Sequence, residues 1–290
     1  MGSGMASRLL SHGLSVSIYN RNQEKARPFA ARGATLANSP REAATGSDVV
    51  ISMVSDDRAS RDVWLGEDGA LAGVSAGTLA IESSTLTVAW IKELAVAAAV
   101  CGCKFLDAPV TGSKPHAESG ELLFLVGGST TAFETAKPVF SVLGRGAIHL
   151  GPIGSGALLK LINNFLAAVQ TVSFGEALAL IDAGGLDREK AISILTEGVP
   201  GSPMLKRVAA RIASGDFAPH FLMRLMAKDV SYALLEAGHF GLQLPTAAAA
   251  LAELKLAIEN GHGDEDFTAV ARRPSTHSDT AMQRNPRSSR

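Results

Sequence analysis

The sequence is poor in the features that mark several classes of protein. Cysteine occurs only at Cys101 and Cys103 in 290 residues. Structural zinc usually takes four ligands, and two thiols one residue apart make a poor disulfide frame, so both are expected to be reduced bystanders. Neither sign of charge is in excess. There are 27 basic and 28 acidic side chains, a net charge of −1, which argues against nucleic acid or an anionic membrane as the main partner. No run of ~18–20 consecutive apolar residues suggests a membrane span. The first residues lack a basic segment leading into an apolar one, the mark of an export signal. A cytoplasmic protein without a metal site is expected.

What is present is a globular composition, with 46% hydrophobic and 19% charged residues, in a chain long enough for two domains. Over residues 1–151 short apolar runs alternate with helical patterns. Strands are expected at 16–19, 48–54, 79–81, 105–106 and 122–126, and helices at 5–12 and 88–100. Ser39-Pro40-Arg41-Glu42 reads as a helix start, with an N-cap, a first-turn proline and a Glu three residues on. Such alternation implies a mostly parallel, doubly wound α/β sheet. Over 152–271 the pattern becomes all-helical, with segments at 157–183, 187–197, 203–214, 223–238 and 246–260 separated by glycine and proline. Residues 272–290 are polar, with two prolines and five arginines, and are expected to be a disordered tail.

The segment 156–166 (GALLKLINNFL) is apolar in nearly every direction around a helix axis, so burial is expected. Lys160, Asn163 and Asn164 interrupt it, and Lys160 and Asn164 lie one turn apart on one face. Most lysines snorkel to the surface. One held among apolar neighbours loses proton affinity and moves toward the range useful for acid–base work. Met53-Val54-Ser55 and Ser83-Ser84-Thr85 end expected strands at their carboxyl edges, where doubly wound folds bind ligands. A hydroxyl cluster there can also cap a helix. In 107–113 (DAPVTGS), Thr111, Gly112 and Ser113 offer hydroxyls and open backbone N–H groups suited to a carboxylate. Read alone, they make an ordinary turn.

Four stretches in this order resemble the β-hydroxyacid dehydrogenase family: 1–13 (MGSGMASRLLSHG), 105–113 (FLDAPVTGS), 154–164 (GSGALLKLINN) and Lys228-Asp229-Val230. The resemblance implies a Rossmann-type NAD(P)-binding domain followed by a helical dehydrogenase domain. It implies an enzyme interconverting a small 3-hydroxy acid, or similar hydroxy acid, and its aldehyde or keto acid. Lys160 would be the general acid/base, Asn164 its positioning partner, and Thr111, Gly112 and Ser113 the grip on the substrate carboxylate. Met53, Val54 and Thr85 would line the cofactor, with Lys228 reaching back to it.

In the family a strand leads into G-x-G-x-x-G before the first helix. Gly2-Ser3-Gly4 has no strand before it, and Ser7 stands where the last glycine would fall, so the better register makes Gly2 the third glycine. The first strand and first two glycines are then missing, leaving a gap with unpaired backbone groups on both sides. A natural start about ten residues upstream is expected, with Met1 internal. Asn20-Arg21 follows the second strand of the family pattern without an acidic residue to accept from the ribose 2′-hydroxyl, which favours NADP over NAD.

The 6-phosphogluconate dehydrogenases carry Lys-x-x-His-Asn where this chain has Asn163 before Asn164, and imine reductases usually lack the lysine. An alternative of another class is a non-catalytic or impaired cofactor-binding scaffold, suggested by the missing strand. Asp56-Asp57, 217–219 and 223–228 lean toward the glyoxylate/succinic semialdehyde branch. The family pattern also implies a homo-dimer or homo-tetramer.

Overall fold

The structure is a computed structural model that describes residues 1–272. The expected tail, beyond Arg272, lies outside the described residues.

The chain opens on α1 (Gly2–Ser11), followed by β1 (Ser17–Ile18), α2 (Arg27–Ala30), β2 (Thr35–Leu36) and α3 (Pro40–Ala44). Next come β3 (Val49–Ser52), α4 (Asp57–Leu65), β4 (Leu79–Glu82), α5 (Val88–Val100), β5 (Lys104–Asp107) and β6 (Val110–Thr111). Then follow α6 (Lys114–Ser119), β7 (Leu122–Gly128), α7 (Thr130–Leu143) and β8 (Gly144–Gly151). The remainder is helical: α8 (Ser155–Ala183), α9 (Arg188–Glu197), α10 (Pro203–Ser214), α11 (Met223–His239) and α12 (Pro245–Ala257). Caps fix several boundaries. Ser39 accepts from the Glu42 N–H at 3.1 Å, and Thr87 from the Trp90 N–H at 3.2 Å, each satisfying an amide that the first turn leaves orphaned.

The strands form two sheets. β1 and β2 pair in parallel and stand apart from a six-stranded sheet of order β3-β4-β5-β7-β6, with β8 also on β7. Among the described residues no ladder joins β1 or β2 to the six-stranded sheet. β3, β4 and β5 are parallel. The expectation of a mostly parallel sheet weakens at β7, which runs antiparallel to β5 and β6 and parallel to β8. The chain passes from β5 through Ala108-Pro109 into β6, and β7 returns between the two, paired with both.

Two clusters of apolar side chains line the six-stranded sheet. One joins Ile81, Leu106, Leu122, Phe124 and Val126 to Met5 and to Phe133 and Phe140 of α7. The other joins Trp64, Ala80, Ile91, Leu94 and Phe105. The 29-residue α8 is long and apolar enough, by length and composition, to cross a membrane, which the sequence reading did not anticipate. It buries Leu161, Ala168, Phe174 and Leu178 inside the protein, together with the polar Asn164 and Thr171. Leu159, Ile162 and Leu166 of the same helix remain exposed.

Candidate active site

Lys160 and Asn164 sit in the first third of α8. Asn164 is buried, and its Nδ2 donates to Asp229 Oδ2 of α11 at 2.6 Å, while its Oδ1 accepts from Asn163 Nδ2 at 2.9 Å. Asp229 is also buried, with Oδ1 lying 2.7 Å from Lys228 Nζ. Lys228 Nζ in turn donates to the Thr85 carbonyl at 2.6 Å and lies 4.6 Å from the Tyr232 ring centre. One chain of contacts thus links Asn164, Asp229, Lys228 and Thr85.

Lys160 is half-buried, and among the described residues it makes no hydrogen bond or ion pair. Burial lowers its ammonium from the ordinary 10.5 to about 8, with the Asp229 carboxylate opposing and Lys228 assisting. The result is an amine that can change charge near neutral pH.

The N-terminus of α8 is tied to the sheet by Asp107, the last residue of β5. Its Oδ1 accepts from the Gly154 N–H at 2.8 Å and its Oδ2 from the Ala157 N–H at 2.9 Å. Burial raises this carboxyl to about 6 in spite of those donors.

The carboxyl ends of β3 and β4 carry the expected cofactor residues. Val54 N–H donates to Ser84 Oγ at 2.7 Å. Ser84 N–H donates to Glu82 at 2.9 Å, and Glu82 also accepts from Ser60 Oγ at 2.6 Å and from the Trp64 indole at 2.8 Å. Glu82 is fully buried; burial pushes its carboxyl up while these donors oppose. Met53 packs against Gly2, where an added Cβ would sit 3.6 Å from the Met53 Cβ. Burial would raise the Asp56 carboxyl, but the Ala59 N–H, the Ser55 hydroxyl and the charges of Lys228 and Arg21 outweigh it and hold the pKa below the usual value. Arg21, Asp56 and Lys228 are therefore electrostatic neighbours. Asn20 accepts from the Asn22 N–H at 2.9 Å, an Asx turn that shapes the loop carrying Arg21.

These residues fit a nicotinamide dinucleotide. Ser52 Oγ and Ser83 Oγ are buried without a hydrogen-bond partner among the described residues. The first turn of α1 has no side-chain cap, and such a turn suits a phosphate. Arg21 stands exposed three residues beyond β1.

Thr111, Gly112 and Ser113 form a separate turn. Gly112 has φ +121, and a Cβ there would press on His116 and Leu122. Ser113 N–H donates to His116 Nδ1 at 3.1 Å. Lys114 Nζ donates to the Pro219 carbonyl at 3.0 Å, reaching the helical half. No hydrogen bond among the described residues joins this turn to Lys160; the link runs through Asp107.

Sequence reading had not singled out Asp107, Asp229 or Glu82 as site residues. Asp107 and Asp229 lay inside quoted motifs, but Lys228-Asp229 reads as a solvated pair until the fold buries it. Asp56 and Asp57, read as hints of substrate, have structural partners. Asp56 caps α4 by accepting from the Ala59 N–H at 2.8 Å, and Asp57 accepts from the Thr87 hydroxyl at 2.6 Å.

Residues 1–151 match the NAD binding domain of 6-phosphogluconate dehydrogenase, and residues 154–273 match the NAD-binding domain of NADP-dependent 3-hydroxyisobutyrate dehydrogenase. The chain is 35% identical over 277 residues to the NAD-dependent L-serine dehydrogenase of Pseudomonas aeruginosa, covering 93% of each protein. It is 33% identical over 270 residues to glyoxylate/succinic semialdehyde reductase 1 of Arabidopsis thaliana, again covering 93% of each. The solved Mycobacterium tuberculosis 3-hydroxyisobutyrate dehydrogenase with L-serine superposes with a TM-score of 0.85 at 30% identity, over 93% of this chain and 94% of that one. With both halves matched in sequence and the whole described fold in structure, the chain belongs to the β-hydroxyacid dehydrogenase family and is an NAD(P)-dependent oxidoreductase.

Proposed function

We propose that the protein interconverts a small carboxylate-bearing aldehyde or keto acid and the corresponding 3-hydroxy acid or similar hydroxy acid, with Lys160 as general acid/base. It is Lys160 that carries this reading: an unpaired amine, lowered to about 8 by burial, one turn from a buried amide. The nicotinamide supplies or accepts the hydride at the substrate carbon. In reduction, the Lys160 ammonium donates its proton to the forming alkoxide oxygen. In oxidation, the neutral amine takes the hydroxyl proton as hydride departs. Asn164, held by Asp229, orients the substrate oxygen beside Lys160. Thr111, Gly112 and Ser113 grip the carboxylate through hydroxyls and backbone N–H groups.

The named substrates of the relatives, L-serine, glyoxylate/succinic semialdehyde and 3-hydroxyisobutyrate, are all small carboxylates, which supports that class here. Exposed Arg21, in a stretch 19–22 after β1 that has no acid to accept from a ribose hydroxyl, favours NADP. The exposed Leu159, Ile162 and Leu166 of α8 suit a homo-dimer or homo-tetramer. A cytoplasmic location remains our reading of the composition.

The rival reading, a scaffold with impaired cofactor binding, is not favoured by the likeness to a dehydrogenase and a reductase over 93% of the chain. Titrating NADPH against intrinsic tryptophan emission separates the two. The catalytic reading expects saturable NADPH binding, and turnover of glyoxylate, succinic semialdehyde or methylmalonate semialdehyde. It also expects a Lys160→Ala variant that binds NADPH and has lost turnover. Near-normal turnover in that variant removes Lys160 from the role.

A further inference from the structure

Asp107 is fully buried, yet it serves a helix whose N-cap, Gly154, lies 47 residues later in the chain. A helix is ordinarily capped by a side chain at its own N-cap position, at little cost because that residue is near solvent. The N-cap of α8 is Gly154, which brings no side chain. The carboxylate comes instead from a central strand, where burying a charge is expensive.

The surrounding backbone is built to admit it. A Cβ on Gly127 would collide with Asp107 Oδ1, and one on Gly156 would collide with the Leu125 carbonyl and crowd that of Asp107. Gly154 adopts φ +94, a left-handed conformation that favours glycine. Both carboxylate oxygens are engaged with α8, and the backbone of Asp107 is fixed in register with Glu82 of β4 and Gly127 of β7.

Asp107 also ends β5 three residues before β6, whose last residue, Thr111, leads into Gly112 and Ser113. Ala157, which its Oδ2 grips, lies one turn before Lys160. We propose that Asp107 is a positioning residue that sets the separation between the carboxylate-gripping turn and Lys160. This rests on the acid/base reading of Lys160 above. Its two backbone contacts hold the helix at one height and angle against β5, and a shift of about 1 Å at such a junction can cost a hundredfold in rate. The carboxyl, raised to about 6, remains mostly ionised at neutral pH, so both oxygens accept.

The test uses the full chain carrying Asp107→Asn, whose amide leaves one helix N–H facing another donor, and Asp107→Ser, which keeps a single acceptor. NADPH dissociation constant, kcat, KM and the pH profile of kcat are measured beside the wild type and Lys160→Ala. We expect NADPH affinity within about twofold, kcat down about tenfold to a hundredfold, and the lysine limb moved upward as the ammonium gains water. A cap with only a structural role would lower stability and leave that limb in place. If neither variant unfolds cooperatively, Gly156→Ala disturbs the junction from the helix side without touching charge, and the same limb shift is expected. A folded variant with wild-type kcat and limb overturns the inference. Turnover surviving in Lys160→Ala overturns the acid/base reading instead, so the two failures are distinguishable.

Discussion

Asn164 Nδ2 donates to Asp229 Oδ2 at 2.6 Å, and through that bond the helix bearing Lys160 is locked to the helix bearing Lys228. The carboxylate also raises the proton affinity of Lys160 against the effect of burial. Asp229→Asn keeps an oxygen for Asn164 and removes the charge. The lysine limb of the kcat profile is therefore expected to move below its wild-type position near 8, with reduction at pH 7.5 slowed about threefold to tenfold. An unmoved limb would show that the Asp229 charge does not reach Lys160.

Holding the Lys160 ammonium among apolar neighbours costs stability. Its pKa is depressed on folding from 10.5 to about 8, so the folded state binds fewer protons than the unfolded chain between those values. Stability thus rises with pH through that window, and the full cost is present below it. Lys160→Met is expected to raise Tm at pH 7, by an amount worth on the order of 1 kcal/mol. The advantage should shrink by pH 10.5. Thermal unfolding of both proteins at the two pH values checks the sign; a variant less stable at pH 7 contradicts it.

Glu82 gathers the Ser84 N–H, the Ser60 hydroxyl and the Trp64 indole, and the Trp90 indole donates to Ser60 Oγ at 2.9 Å. Glu82→Ala orphans those donors and should cost about 2–4 kcal/mol. Trp64 and Trp90 are the chain's only tryptophans, so the loss should be visible as a change in the native emission spectrum. Denaturant titration followed by that emission measures both, and an unchanged midpoint would contradict the role given to Glu82.

The NADP preference proposed above turns on Arg21. Arg21→Ala is expected to raise the KM for NADPH about tenfold to a hundredfold while leaving that for NADH within about twofold. Steady-state kinetics with the two cofactors decide it; an equal effect on both would remove Arg21 from recognition of the 2′-phosphate.

Local chemistry made much of the fold legible. α5 and α10 begin where the sequence places them because Thr87 and Ser202 cap their first turns, and α10 ends on the left-handed Gly215. α7 and β8 were not legible, since Pro138 lies inside the helix and the strand GRGAIHLG carries three glycines. α1 starts three residues before the position read for it, because two glycines in its first turn disguise a helix whose Gly4 is needed for close approach to Ala117. Lys160 and Asn164 stood out as polar residues on an apolar helix. Asp229 and Asp107 did not, because their partners lie 65 and 47 residues away in the chain and no local pattern announces such a contact.

The separation of β1 and β2 from the main sheet also bears on cooperativity. Thr35 N–H to the Val16 carbonyl at 3.0 Å and Ala37 N–H to the Ile18 carbonyl at 2.9 Å hold these strands to each other, and no ladder joins them to β3. Such a unit opens at a fraction of the global free energy, so its amides exchange with solvent ahead of those in β4 and β5. It is also the unit that carries Asn20 and Arg21. The NADP selection proposed for Arg21 would then rest on a unit less protected than β4 and β5, and a ligand held there would supply part of the order it needs.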